Sequence, residues 1–123
     1  MKANPLGQTV AYPQHYNPGL LVGLPRADNR TVLGLGQGSL PFCGADIWNA
    51  YELSWLNPLG QPRVGRGRFI FSCDSPNLIE SKSLKLYLNS LNQHVFTSRD
   101  AVRDCIATDL GAVSGAPVEV MLQ

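Results

Sequence analysis

Ile79-Glu80-Ser81-Lys82-Ser83-Leu84-Lys85-Leu86-Tyr87-Leu88-Asn89-Ser90-Leu91-Asn92 is the stretch on which the reading of this chain turns. Leu84, Tyr87, Leu88 and Leu91 stand at i, i+3, i+4 and i+7, one face of a helix that can bury in a core. Glu80, Ser81 and Lys82 come just before it, where a loop gives way to the helix. A helix start presents unpaired backbone N–H groups and partial positive charge, so it suits an anionic ligand group. A carboxylate beside it can instead accept N–H donors from a heterocycle. The bland account competes: acidic residues are ordinarily enriched at helix starts, and on the residues alone this explains Glu80 better than a ligand does. Capping and solvation likewise explain Ser81 and Lys82. Lys85, one turn after Ser81, either supports the same anion or coats the helix surface.

Upstream, the chain reads as a hairpin. Ile47 to Asn57 alternates, with Ile47, Tyr51, Leu53 and Trp55 on one parity and Trp48, Ala50, Glu52 and Ser54 on the other. Asn57-Pro58-Leu59-Gly60-Gln61-Pro62 is a turn, because Pro58 fixes φ and Gly60 allows a positive one. A second strand runs from about Arg63 to Cys73, and Gly65 and Gly67 within it signal a bulge or a close backbone approach. Downstream, Thr97 and Ser98 are N-cap candidates for a helix carrying Val102, Ile106, Leu110 and Val113, with Gly111 and Gly115 at its end. Pro117 to Gln123 alternates again as a strand. Strands grouped beside grouped helices indicate an α+β layer fold, in a single module over residues 1–123. Residues 1–30, rich in Pro, Gly and Asn, read as an extended arm that presses Leu20, Leu21, Val22 and Leu24 onto the body formed by 31–123. The glycines of Leu33-Gly34-Leu35-Gly36-Gln37-Gly38 read as a turn and not as a phosphate loop, since no Gly-Lys-Ser/Thr follows.

A net charge of +1 gives no argument for a nucleic-acid partner, and Arg63, Arg66 and Arg68 read as a solvated strand face. No apolar run approaches the ~20 residues of a membrane span, and the N-terminus lacks the apolar core of a signal peptide. Three cysteines without Cys-x-x-Cys spacing argue against a disulfide framework and a zinc site, so the expected setting is a reducing cytoplasm. His15 and His94 have no metal-ligand spacing, and no metal is expected. Cys43, Cys73 and Cys105 lack the adjacent base or positive field that activates a thiol.

The stretch Glu80 to Ser90 resembles the motif of the NADPH-dependent 7-cyano-7-deazaguanine reductases, the nitrile reductases of queuosine biosynthesis. Leu6-Gly7, Pro25-Arg26-Ala27, Asn29-Arg30, Gly44-Ala45-Asp46-Ile47-Trp48, Tyr51 to Asn57 and Ser75-Pro76-Asn77-Leu78 extend the resemblance over nearly the whole chain, to the N-terminal half of the two-module form. The resemblance implies the tunnelling fold (T-fold), an antiparallel sheet with two helices on one face, whose modules assemble into barrels. It implies reduction of a nitrile to a primary amine with two NADPH, through a thioimide on a cysteine and with an aspartate as proton donor. It places Ile79, Glu80 and Ser81 at the substrate, and Ser81 and Lys82 at NADPH. A carboxylate suits the task, because it can accept two N–H bonds from a guanine-like edge.

The catalytic module's Cys-Pro-x-Thr-Gly-x-x-Asp pattern is replaced here by Leu56-Asn57-Pro58-Leu59-Gly60-Gln61-Pro62-Arg63. Leu56 has no nucleophilic atom and Arg63 stays protonated, so no catalytic residue is expected in this chain. The resemblance places its end where the catalytic second half would begin. The expected partners are 7-cyano-7-deazaguanine and a catalytic second module or further copies of the chain, with no nucleic acid and no membrane. The alternative is a stand-alone, non-catalytic protein that binds a purine- or pterin-like ligand or serves as an oligomer scaffold.

Overall fold

The computed structural model describes residues 15–26 and 45–123. The glycine run at 33–38 and Cys43 with its turn lie outside the described residues. Two long strands form the expected hairpin: β2 (Ala45–Leu56) and β3 (Pro62–Ser72), antiparallel. Asn57 organises the turn between them, its Oδ1 accepting the N–H groups of Leu59 and Gln61 at 3.0 and 2.9 Å, while Gly60 takes the positive φ of 77°. β5 (Val118–Leu122) adds to the other side of β3, giving the order β2-β3-β5. A second, two-stranded ribbon pairs β1 (Gly23–Pro25) with β4 (Asn77–Ile79), preceded by a 3₁₀ turn at Pro18–Leu20.

The quoted stretch folds as α1 (Ser81–Asn89), and α2 (Arg99–Ser114) follows. Of the two N-cap candidates for α2, Ser98 does the capping: its Oγ accepts the Ala101 N–H at 3.1 Å. Gly115, at φ 83°, ends the helix, and its N–H reaches the Gly111 carbonyl at 2.9 Å. Gly111 itself lies inside α2.

Both helices cover one face of the sheet. Leu53 and Trp55 of β2, Phe69 and Phe71 of β3, and Val118 and Val120 of β5 form one buried cluster with Leu84, Tyr87, Leu91, Val102, Ile106 and Leu110. The architecture is therefore α+β, as the order of elements implied. Leu88 is only partly buried, whereas Leu86, outside the expected apolar face, is buried. On the opposite face Ile47, Val64 and Met121 are exposed.

The alternation read along β2 does not run through. Ala50 pairs with Gly67 and Leu53 with Gly65, so two residues of β2, Tyr51 and Glu52, oppose one of β3, Arg66. This bulge shifts the parity: Ile47 is on the open face, opposite Leu53 and Trp55. The glycines that signalled an irregularity lie across from it, and they also permit close approach. A Cβ on Gly65 would stand 2.7 Å from Nη1 of Arg99 and 2.8 Å from the Gln123 carbonyl oxygen.

Candidate functional site

β4 delivers the chain to the site. Ile79, its last residue, is buried and pairs with Gly23. Glu80 then leaves the strand at extended angles and caps α1. Its Oε1 accepts the Lys82 N–H at 2.8 Å and its Oε2 the Ser83 N–H at 2.7 Å. The unpaired N–H groups expected to hold an external anion are thus taken by Glu80's own carboxylate. Capping does not exhaust that carboxylate. It has about four lone-pair sites, and two N–H groups fill half of them. The residue is only 3% exposed, so a ligand must uncover it to bind.

Ser81 is the first helical residue and is exposed, whereas Lys82 is half-buried. The four residues named from the sequence are thus consecutive around one corner, with Ile79 and Glu80 facing inward and Ser81 outward. Ser83 is the neighbour sequence reading passed over. Fully buried, its Oγ donates to the Glu80 carbonyl at 2.8 Å and accepts the Val22 N–H at 3.0 Å. A serine three residues beyond a helix cap is too common a feature for sequence to mark it.

A second polar cluster joins remote positions. The Tyr16 and Tyr87 hydroxyls both donate to Oδ2 of Asp109, the latter at 2.6 Å, and Sγ of Cys105 lies 3.5 Å from the same oxygen. Burial, reinforced by the Asp109 hydrogen bonds, pushes both phenols well above their ordinary range. Burial also raises the Cys105 thiol, which keeps it protonated and a poor nucleophile. Cys73 is buried.

Leu56 sits at the end of β2, its N–H donating to the His94 carbonyl at 2.9 Å and its own carbonyl accepting from the Phe96 N–H at 2.8 Å. Arg66 and Arg68 are exposed on the open face and, with Asn49, Met121 and Gln123, line a shallow cleft of about 230 Å³ that contains none of Ile79 to Lys82. Among the described residues no group of His, Cys, Asp and Glu could hold a metal ion, and no helix is long and apolar enough to cross a membrane.

The family model described as "Nitrile reductase, 7-cyano-7-deazaguanine-reductase N-term" matches residues 12–122. Proteins named NADPH-dependent 7-cyano-7-deazaguanine reductase are similar to the chain. That of Bordetella pertussis is 59% identical over 114 residues, covering 93% of this chain and 41% of the relative. That of Chromohalobacter salexigens is 54% identical over 118 residues, covering 96% and 43%, and that of Dechloromonas aromatica 51% over 121 residues, covering 98% and 43%. The chain thus spans 41–43% of the length of these curated relatives. A match that runs from before the described arm to the last strand, through the Glu80 corner, leaves one assignment: the chain belongs to the family of N-terminal domains of the 7-cyano-7-deazaguanine nitrile reductases.

Proposed function

We propose that this chain is the substrate-holding module of an NADPH-dependent nitrile reductase that converts 7-cyano-7-deazaguanine to 7-aminomethyl-7-deazaguanine for queuosine biosynthesis. In this reading residues 1–123 form one module. Glu80, with Ile79 and Ser81 beside it, grips the deazapurine edge. The observation that carries the reading is the Glu80 carboxylate: buried, fixed at both oxygens by its own helix, and left with acceptor capacity that matches a guanine-like donor edge. Two N–H groups at fixed positions hold the carboxylate in plane, which orients the heterocycle before any chemistry.

Ser81 and Lys82 fit a dinucleotide at this corner by residue type. An exposed hydroxyl and a cationic stem are suited to ribose and phosphate oxygens. NADPH, when bound, supplies hydride. Bond making is left to a catalytic module, because Leu56 and Arg63 replace its nucleophile and proton donor and the Cys105 thiol is held protonated. That module is a second half of the same enzyme or a further subunit. Three cysteines without Cys-x-x-Cys spacing suit a reducing cytoplasm.

The test is a single-turnover assay with the purified chain, 7-cyano-7-deazaguanine and NADPH, run beside the full-length enzyme that carries this module. The full-length enzyme should form amine and consume NADPH, and the chain alone should do neither. Amine formed by the chain alone would overturn the division of labour. In the full-length enzyme, Glu80→Ala should abolish substrate binding measured by calorimetry, and unchanged affinity would refute the role of Glu80.

A further inference from the structure

Residues 15–26 cross the helices as a strap fastened at three places. At its start, Tyr16 donates to Asp109 of α2, and the Asn17 N–H donates to Ser90 Oγ at 3.2 Å. At its end, Arg26 is buried. Its guanidinium meets Asp46 Oδ2 at 2.6 Å, the Ser75 hydroxyl at 3.1 Å and the Ser72 carbonyl at 3.2 Å, while its N–H reaches the Pro76 carbonyl at 2.9 Å. Between these anchors the strap touches Glu80. The Glu80 N–H donates to the Val22 carbonyl at 2.9 Å, and the Val22 N–H donates to Ser83 Oγ, which in turn donates to the Glu80 carbonyl.

Ser83 is where these contacts meet. Its N–H holds one carboxylate oxygen of Glu80, its hydroxyl holds the Glu80 carbonyl, and the same hydroxyl accepts from the strap. With the Glu80 N–H on Val22, every polar group of Glu80 has a fixed partner. We infer that Ser83 is a positioning residue for Glu80 and that the strap acts through it to aim the carboxylate at the substrate. This rests on the proposed reading that Glu80 binds the deazapurine. A bidentate acceptor works only in a narrow range of orientation, and small misplacement costs large factors in binding and rate. Tightening by the strap is therefore felt at the substrate although the strap itself need not touch it.

The experiment compares Ser83→Ala, Tyr16→Phe and Glu80→Ala in the full-length enzyme. Readouts are KM for the nitrile, KM for NADPH, kcat and thermal midpoint. Ser83→Ala should raise the nitrile KM roughly tenfold or more, and Tyr16→Phe, remote from the site and lacking only a hydroxyl, should raise it several-fold. NADPH KM should stay within about twofold, the range of an unperturbed site. A purely structural role lowers the amount of active enzyme, hence kcat and the midpoint, and leaves the nitrile KM unmoved. An unchanged nitrile KM in both variants overturns the inference. If Glu80→Ala has meanwhile lost binding, the site reading stands; if Glu80→Ala binds normally, both fall.

Discussion

Glu80 is the residue at which sequence sets two explanations against each other, helix capping and the ligand binding proposed above. Its carboxylate does cap α1, as acidic residues at helix starts commonly do, and the lone pairs that remain are the ones a ligand can use. Glu80→Ala should therefore have two separable effects: loss of substrate binding, and loss of about 1 kcal/mol of stability from the missing cap, read as a lower urea midpoint at unchanged slope. That Ile79 to Lys82 share one corner needed no structure, because these residues are continuous in sequence. The Tyr16–Tyr87–Asp109–Cys105 cluster was not, since its members come from the arm and two helices and no local pattern joins them. That cluster governs alkaline behaviour. Its phenols and thiol are held protonated in the fold, so their stabilisation is complete below the unfolded values, about 8.5 for thiol and about 10 for phenol, and declines as pH rises beyond them. The thermal midpoint should be steady from neutral pH to roughly 8.5 and fall above it. Tyr87→Phe should fall less steeply. A midpoint that rises with pH in that range would contradict the assignment.

Among the elements, the hairpin, both helices and β5 could be read from periodicity and turn chemistry, because each is long enough to show its period. β1 and β4 could not. Three residues carry no alternation, and they exist as strands only by pairing with each other. The bulge in β2 was half legible: Gly65 and Gly67 marked the place, but the extra residue is on the facing strand, so a straight alternation put Ile47 with the wrong partners. Gly65 has a further task, since any side chain there meets Arg99 and the Gln123 backbone. Gly65→Ala should cost about 1–3 kcal/mol through overpacking, measured by urea denaturation. Ser98→Ala should cost about 1 kcal/mol through the lost cap of α2.

For the whole molecule, the helices shield one face of the sheet, while the other keeps Ile47, Val64 and Met121 in solvent. In the three-stranded sheet β2 and β5 are the edge strands, and an edge strand is where another chain can pair. The bulge between Ala50 and Leu53 shapes one of these edges. A bulged strand bends and twists more strongly than a regular one, so its free edge is an arc. Copies joined by a repeated rotation close into a ring only where that rotation divides a full turn, and otherwise run on as a filament. Deleting Glu52, the exposed residue beside the bulge, would restore regular pairing while keeping Ala50 and Leu53 in register with Gly67 and Gly65. One surplus residue in β2 thus sets the bend that any strand pairing along this edge would have to follow.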